Sequence, residues 1–126
     1  MESMEKKEVL DALTALASGV RLDVYRLLVP KGTEGMVSGE IAAALNLPLT
    51  NTSFHLKALV QAGLATVEQE GRFQRYRANI PHMLQVLAYL TENCCANEVG
   101  ACKAMRESVP GIAAVDGPAR VRRDAA

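Results

Sequence analysis

The sequence predicts a mainly α-helical domain carrying one β-hairpin, and three observations carry that prediction. Aromatic residues are only 4% of the chain, with no Trp, so its core must be built from Leu, Val, Ile and Ala, which suits packed helices better than a β-sandwich. Apolar residues recur at helical spacing in successive stretches separated by Gly, Pro and Asn. The period changes to two only once, after Gly63. With 126 residues, 49% of them apolar and 22% charged, the chain can bury one core and is too short for two.

Taken in order, Leu10, Leu13, Leu16 and Ala17 mark a first helix, interrupted at Ser18-Gly19. A second runs from Val20 to Val29, with Val20, Val24, Leu27 and Leu28 on one face, and ends at Pro30-Lys31-Gly32. Residues 30–37 read as a short polar loop. Ser38 then offers its side-chain oxygen as the cap of a two-turn helix, Gly39 to Leu45, closed by Asn46-Leu47-Pro48. The next helix spans Thr50 to Ala62, and 100° per residue puts Thr52, Leu56, Leu59 and Gly63 on a core side and Thr50, Phe54, Lys57 and Gln61 opposite. Residues 64–69 alternate, Glu70-Gly71-Arg72 turns the chain, and Phe73 to Arg77 returns as the second strand of a hairpin. Pro81 suits the first turn of a last long helix, striped with Met83, Leu84, Val86, Leu87 and Leu90. This chain is too short to cover that stripe together with Leu10 and Leu13, so a homodimer is expected, its interface made by the first and last helices.

Two short helices joined by a tight turn, the second displaying small polar groups, followed by a charged hairpin, form the pattern of a winged helix-turn-helix. Thr50, Asn51, Ser53 and Lys57 can donate to base edges or phosphates, and Phe54 can pack against a thymine methyl. His55 lies at the flank of the apolar side, where a structural hydrogen bond and a DNA contact are both open. On the hairpin, Arg72 and Arg75 suit phosphate or minor-groove contact, against the alternative of a solubilising charged edge strand. Bulk electrostatics does not announce this role, since formal net charge is zero and the pI is about 6.7, so any basic surface must be local.

The stretch Leu47 to Leu64, above all Ser53, His55-Leu56-Lys57, Leu59 and Gly63-Leu64, together with Ser18-Gly19-Val20-Arg21-Leu22 upstream, resembles the ArsR/SmtB family of bacterial metal-sensing repressors over roughly residues 8–95. That resemblance implies a homodimeric repressor that binds double-stranded operator DNA and releases it when an inducer binds. Phe54 departs from the polar or basic residue the family pattern would place there.

All three cysteines, Cys94, Cys95 and Cys102, fall within nine residues near the end of the last helix, a poor framework for secreted disulfides and a better one for reduced thiolates that select thiophilic ions. The short helix lacks the Cys-x-Cys pair of the family's best-known arsenic sensors. The chain resembles instead a branch of arsenic-responsive members with a C-terminal trithiolate, which implies trivalent arsenic as inducer, with antimony a second candidate and no permanent cofactor. A structural zinc site wants four protein ligands, whereas a trivalent metalloid is satisfied by three. His82 stands without an acidic partner upstream, so the family's other zinc site is not expected. The alternatives are a thiol-redox or reactive-sulfur switch on the same fold, and cysteines that merely serve as small apolar residues.

On a regular helix Cys94 and Cys95 point about 100° apart and Cys102 lies roughly 10 Å further along the axis. A shared ion therefore requires the chain to leave the helix between them, with Asn97 and Gly100 as turn-tolerant residues. The expected division is a DNA-binding and dimerisation domain over 1–96, an inducer segment over 97–107 and a disordered tail over 108–126. The N-terminus has no apolar leader and no run reaches the ~20 apolar residues of a membrane span, so a cytoplasmic location is expected. With only two histidines, neither near the cysteines in sequence, and no phosphate loop or nucleophile elbow, an enzyme is not expected.

Overall fold

Helical periodicity and local caps account for the first half of the fold. The computed structural model describes residues 4–92 and 99–111, and the chain divides into one unit of residues 1–89 and a second of residues 90–126. In the first unit, α1 (Lys6–Leu16) starts where the Glu5 N–H donates to Glu8 Oε1 at 2.9 Å, and it buries Val9, Ala12 and Ala15. Leu10 and Leu13 are left 50% and 40% exposed, so of the leucines that announce the helix only Leu16 packs against the core. Ser18 caps α2 (Gly19–Leu28), its Oγ accepting from the Arg21 N–H. Val24, Tyr25 and Leu28 are buried on α2.

The segment expected as a polar loop is more ordered than its composition suggests. A 3₁₀ turn covers Val29–Lys31, and Met36–Val37 form β1, an edge strand paired antiparallel to the later hairpin through Met36 with Tyr76 and Val37 with Arg75. Two residues give no readable alternation, so the strand exists only because a partner is in place. Gly35 makes the approach feasible: its φ is +61°, and a Cβ there would strike the Tyr76 carbonyl oxygen.

The cap of α3 (Ser38–Leu45) also differs from expectation. Ser38 is the first helical residue, and the capping bond comes from Glu40, whose Oε1 accepts the Val37 N–H at 3.0 Å. A carboxylate in the first turn also complements the helix dipole, an advantage a serine hydroxyl lacks. Asn46 closes α3 in the left-handed region at φ 55°. Then α4 (Leu49–Gln61) begins after Pro48, whose carbonyl accepts both the N–H and the Oγ1–H of Thr52, each at 3.0 Å. Thr52, Leu56 and Leu59 are fully buried as the periodicity predicts, each leucine contributing about 1.5–3 kcal/mol by leaving water.

Two bonds wind α4 off into the hairpin: Leu64 N–H to Leu59 O and Gly63 N–H to Val60 O, both 3.0 Å, with Gly63 at φ +83°. Strands β2 (Ala65–Glu70) and β3 (Phe73–Ala78) pair antiparallel from Ala65 with Ala78 to Glu70 with Phe73, giving a sheet in the order β1-β3-β2. The last element of this unit, α5 (Ile80–Leu90), buries Val86 and rests Met83 on a core that also includes Val9, Val24, Leu28, Ile41 and Leu64.

In the second unit, α6 (Val99–Glu107) is helical, with a Lys103–Glu107 pair at 4.0 Å one turn apart. Gly100 therefore lies inside a helix and is not the turn residue expected of it. At the first turn a glycine costs little, and Ala101, Lys103, Ala104, Met105 and Arg106 all favour helix. Asn97, Cys94, Cys95 and the tail beyond residue 111 lie outside the described residues.

Candidate nucleic-acid interface

Burying one side of α4 presents its other side. Thr50, Asn51, Ser53 and Lys57 are exposed, and among the described residues their side chains make no hydrogen bond or ion pair. Phe54 is 67% exposed, its ring meeting that of His55 edge-on at a centroid distance of 5.5 Å. This arrangement brings Thr50, Asn51, Ser53, Phe54 and Lys57 together as one free face of donors flanking an apolar ring, on a helix held from behind by α1, α2 and α3. Donors of this kind at the start of a helix match phosphate oxygens and base acceptors in a major groove.

His55 differs from its neighbours by being half-buried and held. Arg21 Nη1 lies 3.3 Å from its Nδ1, while Arg21 Nε donates to the Ala15 carbonyl at 2.7 Å. Arg21 holds the ring in place, a contact the sequence reading did not assign to it. In sequence it is one of three charged residues of α2, with Asp23 and Arg26, and its contact with His55 spans 34 positions.

The hairpin sorts its arginines by register. Arg75 Nε donates to both carboxylate oxygens of Glu70 at 3.0 Å, and its Nη1 donates to the Glu34 carbonyl at 3.0 Å. Arg77 Nη1 donates to Glu68 at 2.8 Å and its Nε to the Thr33 carbonyl at 2.6 Å. Each pair is a diagonal cross-strand neighbour on one face, so the two acids of β2 are neutralised within the shaft. Arg72, at the tip beside a Phe73 that is 61% exposed, is itself exposed and makes no hydrogen bond or ion pair among the described residues.

Of the three cysteines, only Cys102 falls in a described element, α6, and only its backbone place is described. Cys94 and Cys95 lie outside the described residues. Among the described residues, no helix is long and apolar enough to cross a membrane.

A buried-backed recognition helix preceded by a short helix and followed by a hairpin wing defines a DNA-binding winged helix-turn-helix protein, the class of transcriptional regulators and not of enzymes. A family model described as a helix-turn-helix domain matches residues 16–68. A crystal structure of a possible transcriptional regulatory protein (fragment 1–100) from Mycobacterium bovis is 32% identical, with TM-score 0.56, covering 67% of this chain and 89% of that one. A solution structure from the same species is 30% identical, with TM-score 0.55, covering 71% and 88%. It is described as a homodimeric winged helix-turn-helix DNA-binding domain of a possible ArsR-family transcriptional regulator. A third structure, described as a possible transcriptional regulator for arsenical resistance, is 28% identical with TM-score 0.56, covering 75% and 94%. No curated protein matches the chain by sequence. The chain belongs to the ArsR-like family of helix-turn-helix transcriptional regulators.

Proposed function

We propose that this protein is a homodimeric repressor that holds a double-stranded operator through α4 and the tip of the wing, and releases it when trivalent arsenic binds Cys94, Cys95 and Cys102. The DNA half of the reading rests on one observation, the free donor face of α4 backed by buried Thr52, Leu56 and Leu59. Thr50, Asn51, Ser53 and Phe54 read bases, Lys57 and Arg72 bind phosphate, and Arg75 supports the wing shaft. The dimer half is supported by Leu10, Leu13 and Leu84, which stay 38–50% exposed in the single chain, and by the homodimeric relative.

The inducer half is supported by donor chemistry: three thiols within nine residues, in a chain similar to a possible arsenical-resistance regulator. Antimonite is a second candidate of the same valence. Metalloid binding to the free state more tightly than to the DNA-bound state by about 1–3 kcal/mol would weaken operator binding roughly 5- to 150-fold, and DNA would weaken metalloid binding by the same factor.

The test uses a duplex selected from a random pool by the protein itself. Reduced protein is titrated with arsenite, antimonite, zinc and cadmium while DNA release is followed. Single Cys→Ser variants are expected to bind the duplex as the parent does and to lose release by arsenite. If all three variants respond like the parent, the inducer site lies elsewhere. Equal release by peroxide without metalloid supports the thiol-redox reading instead.

A further inference from the structure

Arg21 is a half-buried cation that forms no ion pair among the described residues. The nearby acid Asp11 is taken by Lys7 at 2.9 Å. The partners of Arg21 are neutral: the Ala15 carbonyl at the C-terminal end of α1, where the helix dipole favours a cation, and the imidazole of His55 on α4. A guanidinium only donates hydrogen bonds. Its contact with His55 Nδ1 therefore requires a lone pair at that nitrogen, which leaves the ring proton of neutral His55 on Nε2. That second nitrogen has no partner among the described residues and is not among the fully buried unpaired atoms, so it is not sealed from solvent.

We infer that Arg21 is a positioning residue for the DNA-reading helix: by occupying His55 Nδ1 it makes His55 a fixed, neutral N–H donor for a DNA phosphate oxygen. This rests on the reading that the exposed face of α4 meets DNA. Phosphate oxygens only accept, so a ring locked with its proton on Nε2 is matched to the backbone, while a ring of either tautomer would present an acceptor part of the time. The same guanidinium ties the end of α1 to α4, so the donor is also registered against the helix expected to form the dimer. Because the donor is uncharged, its loss removes affinity without removing a counterion-releasing contact.

The first measurement needs no variant and no DNA. Long-range proton–nitrogen correlation NMR on the full chain, at a pH where His55 is neutral, is expected to show Nδ1 unprotonated and Nε2 protonated, and the reverse tautomer overturns the inference. In the second, His55→Asn, His55→Gln and Arg21→Lys are compared on the selected duplex across salt concentrations, with circular dichroism confirming folding. His55→Asn keeps a group near the Nδ1 position and is expected to lose about 3- to 10-fold in affinity with the salt slope unchanged. His55→Gln reaches the Nε2 position and is expected to recover part of that loss. Arg21→Lys cannot bridge both acceptors and is expected to reduce the preference for one tautomer and lower affinity similarly. A fall of about one in the salt slope on removing His55 overturns the proposal, because it would mean that the ring binds as a cation. Thr50→Ala and Ser53→Ala separate the two readings. If they leave DNA binding intact, the α4 reading itself fails. If they weaken it while the tautomer is reversed, only the role of Arg21 fails.

Discussion

Replacing Gly63 with alanine tests how tightly the recognition helix is tied to the wing and to α5. Gly63 sits at φ +83°, and a Cβ there would lie 2.7 Å from both Cε1 and Nε2 of His82. The backbone alone costs an L-residue about 1–2 kcal/mol in this region. Pushing the His82 ring away from its rotamer adds about 0.5–1.5 kcal/mol. The ring has little freedom to yield, since Nε2 is buried and the chain around it is held by Asn79, whose side chain donates to the Gly63 carbonyl at 2.9 Å and accepts from the His82 N–H at 3.4 Å. The sum is about 1.5–3.5 kcal/mol, or roughly 10 °C in Tm for a chain of this size. Urea unfolding of the parent, Gly63→Ala, His82→Ala and the double variant forms a cycle in which the steric part, about 1 kcal/mol, vanishes when the ring is absent and the backbone part remains. A Gly63→Ala cost under about 0.5 kcal/mol refutes the backbone argument, and an equal cost in both backgrounds refutes the contact with His82.

Arg72→Ala is expected to lower the salt dependence of DNA binding by about one unit on specific and random duplexes alike. The paired change Glu70→Gln with Arg75→Gln removes a self-neutralised couple and is expected to leave that slope unchanged, which salt titrations check. Among the described residues the buried Tyr25 hydroxyl has no hydrogen-bond partner, so Tyr25→Phe is expected to be neutral or to stabilise by up to about 1 kcal/mol in thermal unfolding. Burial raises the Tyr25 pKa above its ordinary 10.0. The folded state then holds a proton that the unfolded chain has released, so stability is full below about pH 10 and falls as pH rises toward the folded value. Tyr25→Phe is expected to flatten that alkaline decline, and Tyr76, raised for the same reason, accounts for part of what remains. Leu10→Glu with Leu13→Glu, at exposed positions of α1, is expected to leave helix content intact while giving a monomer by sedimentation, with weakened operator binding.

The sequence by itself determined the order of the first five helices and the hairpin, the buried side of α4 and the identity of its displayed residues, because these follow from periods of 3.6 and 2 and from Gly, Pro and Asn at the breaks. Thr52, Leu56 and Leu59 could be placed in the core, and Thr50, Ser53, Phe54 and Lys57 outside it, without knowing what covered them. Tertiary structure decided what depends on a partner distant in sequence. Met36 and Val37 form a strand only against Tyr76 and Arg75, and Arg75 and Arg77 spend their charge on Glu70 and Glu68 because the register puts them on the diagonal. His55, open in the sequence between a structural bond and a DNA contact, is held by Arg21 through one nitrogen, while the other has no partner among the described residues. Local pattern records how a residue relates to its own helix or strand. Which donor meets which acceptor across 34 residues is settled only when the core brings α2 and α4 together.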